Sequence, residues 1–489
     1  MARVKLFAVV VVLLLLIGVI IVVTSYGVFF NQSEEEPKQF YVGVTYCGSS
    51  VQEAKELVDQ VKDYTNLFGL LSGTVQTAAE VNEIGDYVVA SGLNFIVYTS
   101  YNVYYSADPA GGLNEWANAA KERWQENFIG IYYRDEPGGD LLDGKLVTLE
   151  KLGYDVRPDR ADTRVIPKIT KYQDVITVYA RDPKTNKISS LTAYGPDGGC
   201  NVTIYDGRHS DKLEYLPNGT LIIHRRVWDK SGVTNIVYTA KNITEYPSYE
   251  EVLKQNPIKN NDDIAKAYIN MNKAFLEDIN KKQLNSESIL VFTADYGLYW
   301  WNYQGGYDVV FAELAWNNTA AQEIGLVRGA ANLQGKSWGT ILTWKYTHPP
   351  YLTDGAEMFE QIKASYEAGA EYVLIFNYTE DPTNHNTLQE EHYEALERFW
   401  NDVVQNPKVV HGGIKAEAVF VLPQNYGWGM RFPEDNLWGL WYANEDNQEL
   451  WNQIQNKLDK HGLKLDIVFE DPNHPIKGKY NNIYYWNQK

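Results

Sequence analysis

Between Phe40 and Asn377, short uninterrupted apolar runs alternate with amphipathic stretches, and the alternation repeats eight times. The runs are Phe40–Tyr46, Asn66–Leu70, Phe95–Thr99, Phe128–Tyr133, Ile289–Thr293, Asp308–Ala312, Gly339–Trp344 and Tyr372–Asn377. Most are continuous β-branched and aromatic segments, which is how a parallel strand buried on both faces reads. The intervening stretches open on helix-start signals. Ser50-Val51-Gln52-Glu53, Thr77-Ala78-Ala79-Glu80, Thr319-Ala320-Ala321-Gln322, Asp354-Gly355-Ala356-Glu357 and Thr387-Leu388-Gln389-Glu390 all have the spacing of capping boxes or close relatives. Apolar residues then recur at helical spacing, as in Val51, Ala54, Leu57, Val58 and Val61. Eight strands alternating with helices predict an α/β chain built on a closed (β/α)8 TIM barrel. An open doubly wound sheet is the alternative, but it does not require a count of eight.

The alternation is interrupted once, between the fourth strand and its returning helix, expected at Asp262–Lys282. Within an insertion bounded at 141–256, residues from about Leu141 to Tyr246 lack helical periodicity. They contain β-like runs at Val175–Ala180, Leu191–Tyr194, Asn201–Tyr205, Thr220–Arg226 and Thr234–Ala240, separated by Pro-, Gly- and Asn-marked turns. A small all-β insertion is expected there, entering from the face where barrel enzymes keep their active sites. The barrel halves are then 39–140 and 257–410. In 411–489, the strand Ala416–Leu422, the helix Asn447–His461 and the strands Leu465–Phe469 and Asn482–Trp486 predict a Rossmann-like α/β domain. No Gly-x-Gly-x-x-Gly follows its first strand, so no nucleotide or other cofactor is expected.

At the other end, Leu6–Val23 is apolar apart from Gly18, with Arg3 and Lys5 before it and Glu34, Glu35 and Glu36 after it. That length and flanking charge predict a transmembrane anchor over residues 1–30 and a linker over 31–38, with the body outside the cell membrane and the bilayer as a partner. The net charge of −19 disfavours nucleic acid. Six N-x-Ser/Thr sequons, at Asn31, Asn201, Asn218, Asn242, Asn317 and Asn377, become glycosylation candidates for an outside body. The two cysteines, Cys47 and Cys200, are compatible with one disulfide or with two free buried thiols. Neither belongs to a cluster with zinc spacing, so no metal is expected.

The strongest chemical signal is Ile131-Tyr132-Tyr133-Arg134-Asp135-Glu136-Pro137-Gly138-Gly139, which ends the fourth strand. Polar residues at that end of a barrel strand point to the catalytic mouth. An acid behind an aromatic strand loses solvation, which raises its pKa and suits it to donate a proton. Glu136 is the general-acid candidate, with Asp135 beside it.

Here the chain resembles the large group of barrel glycoside hydrolases, whose commonest clan ends strand four in Asn-Glu-Pro with the Glu as acid/base. Arg134-Asp135-Glu136-Pro137 looks like a variant with Asp135 in the Asn position. The layout of a barrel followed by a Rossmann-like unit also resembles multidomain β-galactosidase-like hydrolases with a glutamine-amidotransferase-like C-terminal domain. The same clan places a nucleophilic Glu at the end of strand seven. In this chain, strand seven, Gly339-Thr340-Ile341-Leu342-Thr343-Trp344, has no carboxylate. The nearest substitutes are Glu313, ending strand six, and Asp295, ending strand five. Since glycoside cleavage commonly needs two carboxylates, Glu136 with Glu313 is the preferred pair.

Aromatic residues crowd the same strand ends. Tyr98 and Tyr101, then Tyr104 and Tyr105, follow strand three; Tyr296, Tyr299, Trp300, Trp301 and Tyr303 follow strand five; Trp316, Trp344, Tyr346 and His348 follow strands six and seven. Such faces suit the C–H surfaces of sugar rings. Two functions therefore compete: a glycoside hydrolase, and an inactive barrel that binds a glycan or serves the cell envelope. A peptidase or esterase finds no Gly-x-Ser-x-Gly or His-Glu-x-x-His to support it.

Overall fold

The structure, a computed structural model, describes residues 39–489 except chiefly 73–76, 100–111, 139–165, 241–259, 280–288, 317–318, 347–349, 379–386 and most of 428–445. For the strands between 166 and 240 it describes the backbone alone.

Eight parallel strands close the barrel. They are β1 (Tyr41–Tyr46), β2 (Leu67–Leu70), β3 (Asn94–Thr99), β4 (Phe128–Tyr133), β12 (Leu290–Asp295), β13 (Val309–Leu314), β14 (Ser337–Leu342) and β15 (Tyr372–Ile375). Their order, β1-β15-β14-β13-β12-β4-β3-β2, closes through the pairing of β1 with both β15 and β2. The helices α1 (Val51–Val61), α2 (Ala78–Ala90), α3 (Gly112–Trp124), α4 (Asn261–Glu277), α5 (Tyr299–Gly305), α6 (Ala320–Gln334), α7 (Gly355–Ala368) and α8 (Glu390–Phe399) follow the strands in turn. Leu67, Ile96, Tyr132, Phe292, Phe311, Ile341, Tyr372 and Leu374 fill the lumen. Successive strand residues point to opposite faces, so this set fixes which neighbours look inward.

The helix starts follow the sequence signals closely. Ser50 accepts from the amide of Glu53, Asp354 from that of Glu357, and Thr77 with Glu80 forms a complete capping box. Thr319 takes the N-cap of α6 without a side-chain cap hydrogen bond, and Thr387 ties the end of β15 instead, donating to Phe376 O and accepting from Tyr378 N. The helix starts two residues later, where the backbone N–H of the N-cap Gln389 is met by His392 Nδ1.

The insertion forms two antiparallel sheets. One is β5 (Ile166–Tyr172), β6 (Val175–Arg181) and β7 (Ile188–Tyr194). The other is β8 (Asn201–Thr203), β9 (His209–Tyr215), β10 (Leu221–Asp229) and β11 (Gly232–Ala240), in the order β11-β10-β9-β8. Strands β5 and β9 escape a hydrophobicity reading because Ile-Pro-Lys-Ile-Thr-Lys-Tyr and His-Ser-Asp-Lys-Leu-Glu-Tyr are largely polar.

After the barrel, β16 (Ala418–Leu422), α9 (Asn447–His461), β17 (Leu465–Phe469) and β18 (Asn482–Tyr485) form a parallel sheet ordered β17-β16-β18. It docks through α6, which is buried on both sides: eleven of its fifteen residues are buried. A Cβ on Gly325 would lie 2.7 Å from Leu465 O, and one on Gly329 2.7 Å from Val468 Cγ1. These two glycines let the helix sit directly on β17.

Among the described residues no helix is long and apolar enough to cross a membrane. The longest, α4, has seventeen residues and carries Asp262, Asp263, Lys266, Lys273 and Glu277. This corrects the expectation of an N-terminal transmembrane helix. The stretches assigned to an anchor (1–30) and a linker (31–38) lie outside the described residues, and the bilayer partner, single-pass placement and extracytoplasmic body inferred from them are set aside.

Candidate active site

Glu136 and Glu313 meet at the C-terminal mouth of the barrel. Glu313 lies within β13, two residues beyond Phe311, so it shares the inward face and stands at the top of the lumen. It is 4% exposed. Glu136 arrives from beyond β4. The chain turns there through left-handed backbone at Arg134 (φ 63°) and Glu136 (φ 45°). Thr293 Oγ1 donates to Arg134 O at 2.7 Å, and Glu136 N donates to Ala294 O at 3.2 Å, so β12 holds the turn. The Arg134 guanidinium lies over the Phe275 ring of α4, 4.2 Å from its centroid. Non-glycine residues in this region cost roughly 1–3 kcal/mol each and gather at functional sites. In the barrel order, β4 and β13 flank β12. Two strand spacings separate them by about 10 Å, which two inward glutamates can bridge. The two carboxyls share a hydrogen bond.

Burial dominates the electrostatics. It pushes Glu136 up to about 8, with Asp135 and Asp295 adding repulsion and the bond to Glu313 opposing it. Burial also raises Glu313 well above the usual carboxylate range, followed by repulsion from Glu136 and Asp135. Such a pair titrates as a unit, and each carboxyl holds its proton to higher pH than a free carboxylate does. Tyr296, 7% exposed, hydrogen-bonds Glu313. A hydroxyl donating to Glu313 favours its ionised form and so opposes part of the burial that raises it.

The other acids take different places. Asp135 accepts a hydrogen bond from the Tyr132 hydroxyl and keeps exposed surface at the lip, so solvent offsets part of the burial that raises its carboxyl. Asp295 ends β12 on the outward face. Its Oδ2 accepts from Tyr268 Oη of α4 (2.6 Å) and Asn302 Nδ2 of α5 (3.2 Å). It therefore cannot reach a substrate in the lumen. Glu323 of α6, absent from the sequence-based candidates, is 1% exposed and accepts from the Tyr299 hydroxyl. The polar Gln322, Glu323 and Arg328 within an otherwise apolar helix were the available signal for it.

The expected aromatic platform divides. Tyr98 packs on Tyr132 at 5.9 Å inside the upper lumen. Trp344 is half-buried against Tyr351, Phe376 and Tyr378, and Trp316 N donates to Trp344 O. Tyr346 is 46% exposed. By contrast, Tyr299, Trp300 and Trp301 are buried in α5. Trp300 contacts Phe469 and His474, while Trp301 contacts Phe469 and donates to Asn425 Oδ1 at 3.1 Å. Phe469 ends β17 and Asn425 follows β16, so Trp301 packs on the C-terminal ends of these two strands. These two indoles join the barrel to the C-terminal sheet, and their sugar-binding assignment is corrected.

Tyr101, Tyr104, Tyr105, His348, Cys200, Asn31, Asn218, Asn242 and Asn317 lie outside the described residues, and Asn201 lies in β8, described as backbone alone. Asn377 is 2% exposed, and its Oδ1 accepts from Thr387 Oγ1 and Leu388 N. A glycan has no room there, which corrects that sequon. Cys47 is a free buried thiol rather than half of a disulfide, 3.7 Å from Thr45 Oγ1 and pushed up to about 12 by burial.

A narrow recess lies between the ends of β13 and β14 and α7, lined by Trp316, Thr343, Lys345, Thr353 and Gln361. Lys345 is paired with Glu357 at 2.7 Å. Among the described residues no group of three or more His, Cys, Asp or Glu side chains is placed to hold a metal ion.

No family model matches the chain, and no curated protein matches it. Among solved structures, the apo structure of a β-glucosidase overlaps 73% of this chain and 89% of that chain, at 9% sequence identity and a TM-score of 0.32. A likeness that low carries no argument. The barrel stands on its own strand order.

Proposed function

We propose that the chain is a barrel hydrolase acting on glycosidic bonds, with Glu136 as general acid and Glu313 as the partner carboxylate. The observation that carries this reading is the meeting of the two buried glutamates at the barrel mouth, with Glu136 on left-handed backbone. Glu136 gives its proton to the glycosidic oxygen as the C–O bond breaks. Glu313 attacks the anomeric carbon or takes a proton from the water that does, and water supplies the balance of atoms. This reading seats a sugar ring on the aromatic faces of Tyr98, Trp316 and Trp344.

A second reading has its own supporting observation. Strand seven presents no acid, so the second carboxylate that glycoside cleavage commonly needs is missing from that strand end. A barrel in that state binds a glycan without cutting it.

A panel of oligosaccharides, offered to the parent protein and to Glu136→Gln and Glu313→Gln, separates the two. Each substitution is expected to lower turnover by at least about a thousandfold with binding retained, since each removes one half of the acid–carboxylate chemistry. Turnover indifferent to both changes rejects the pair; binding without turnover in the parent supports the second reading.

A further inference from the structure

Behind the glutamate pair lies a buried carboxylate that reaches no substrate. Asp295 is fully buried on the outward face of β12. Tyr268 Oη and Asn302 Nδ2 donate to its Oδ2, and Asn302 Nδ2 also donates to Tyr268 Oη at 2.9 Å. Its Oδ1 accepts from the backbone N–H of Tyr296 at 2.9 Å. All three donors are neutral; they favour the ionised carboxylate against the burial that opposes it. Tyr296 in turn hydrogen-bonds Glu313 through its side chain. One residue therefore connects the outer carboxylate, through its main chain, to the inner one, through its hydroxyl.

We propose that Asp295 is a positioning residue for the Glu136–Glu313 pair: pinned by these donors, its carboxylate stands behind the pair and tightens the pair's hold on its proton, while the neighbouring Tyr296 hydroxyl opposes it at Glu313. The proposal rests on the reading of these glutamates as an acid–carboxylate pair. Other groups facing the pair are Tyr132 of β4 and Asp135 beyond it, Thr343 beyond β14, and Tyr299 of α5 with Glu323 of α6 behind it. Arg134 is directed at Phe275. The repulsion that Asp295 exerts on both glutamates agrees with this role. Its three anchors distinguish it from Asp135, which keeps exposed surface at the lip.

The test needs no substrate. Unfolding free energy is measured across pH for the full chain, for Asp295→Asn, and for both in a Glu136→Gln/Glu313→Gln background. Asp295→Asn is expected to weaken proton binding by the pair at least tenfold, moving the midpoint of its titration down by a unit or more. In the double-glutamine background it is expected to leave the pH dependence across that range unchanged. A folded Asp295→Asn protein with an unmoved midpoint overturns the proposal. Tyr296→Phe is expected to shift the midpoint the other way, since it removes a donor to the ionised form; a merely destabilising change would not reverse sign. Should Asp295→Asn fail to fold, carboxyl-carbon NMR of the parent decides: Asp295 is expected to be ionised at neutral pH while the pair keeps a proton, and a protonated Asp295 overturns the proposal. A titration that moves as expected in a protein that cleaves no glycan refutes the hydrolase reading and leaves the electrostatic one standing.

Discussion

Glu136 joins a left-handed backbone (φ 45°) to a carboxyl pushed up to about 8 by burial. In the unfolded chain it ionises near 4.5. Between those values the folded protein holds more protons than the unfolded one, so stability falls as pH rises through the window and levels off above it. Glu136→Gln removes that loss. It is expected to be more stable than the parent by roughly 2 kcal/mol at pH 8, less than the full shift implies because the group is partly solvated. The gain should vanish near pH 4, as urea titrations at the two pH values would show. A site residue whose replacement stabilises the fold while removing activity is the usual signature of function set against stability. By the same reasoning, turnover should fall as pH rises through about 8, where Glu136 loses its proton. Asp135-Glu136-Pro137 was legible as a site because acids ending an aromatic strand are rare enough to notice. The direction of each acid was not. Asp295 and Glu313 read alike in the chain, yet one faces the helices and the other the lumen.

That difference belongs to the strands. Reading β12 and β13 as far as Thr293 and Ala312 put both acids at the strand ends without a face; the pairing extends the strands to Asp295 and Leu314, so the period of two assigns each a face. Helices show the same dependence. Nothing in Tyr-Trp-Trp-Asn-Tyr-Gln-Gly says whether its indoles meet sugar or another sheet, and α5 turns them to Phe469. Helix α6 permits a direct test. Replacing Gly329 by Ala would gain about 1 kcal/mol of helix propensity. The new Cβ, however, would meet Val468 Cγ1 at 2.7 Å and Ile467 O at 3.0 Å. Overpacking of this kind costs about 1–3 kcal/mol, so the steric term wins. Gly329→Ala is expected to lower the melting temperature, whereas a neutral or raised value would show that α6 can move off β17.

For the molecule as a whole, the barrel and the C-terminal sheet share one buried ion pair. Arg328 Nε lies 2.7 Å from Asp466 Oδ1, with side chains 4% and 0% exposed. Arg328 also donates to Leu463 O and Leu465 O, and Tyr480 to Asp466 Oδ2. Burial still holds the Asp466 carboxyl above its usual range despite the guanidinium. Removing only the cation leaves that charge stranded. Arg328→Met is therefore expected to cost about 3–5 kcal/mol, and Arg328→Met with Asp466→Leu to recover most of it. Denaturant unfolding of both variants checks this, and limited proteolysis should release the C-terminal unit only in the single variant.

Strand count, helix starts, the interrupting β insertion and the acid at the end of strand four could all be taken from the chain alone. Each depends on near neighbours: a run of β-branched residues, a cap and its partner three positions on, a carboxylate behind an aromatic strand. What the tertiary structure alone decided is which side chains face one another. The Glu136–Glu313 contact, the outward turn of Asp295, the indoles spent on an internal joint and the burial of Asn377 all arise from strand register and helix docking between residues far apart in sequence. Burial, which sets the proton affinity of the pair, exists only once those distant segments have closed around it.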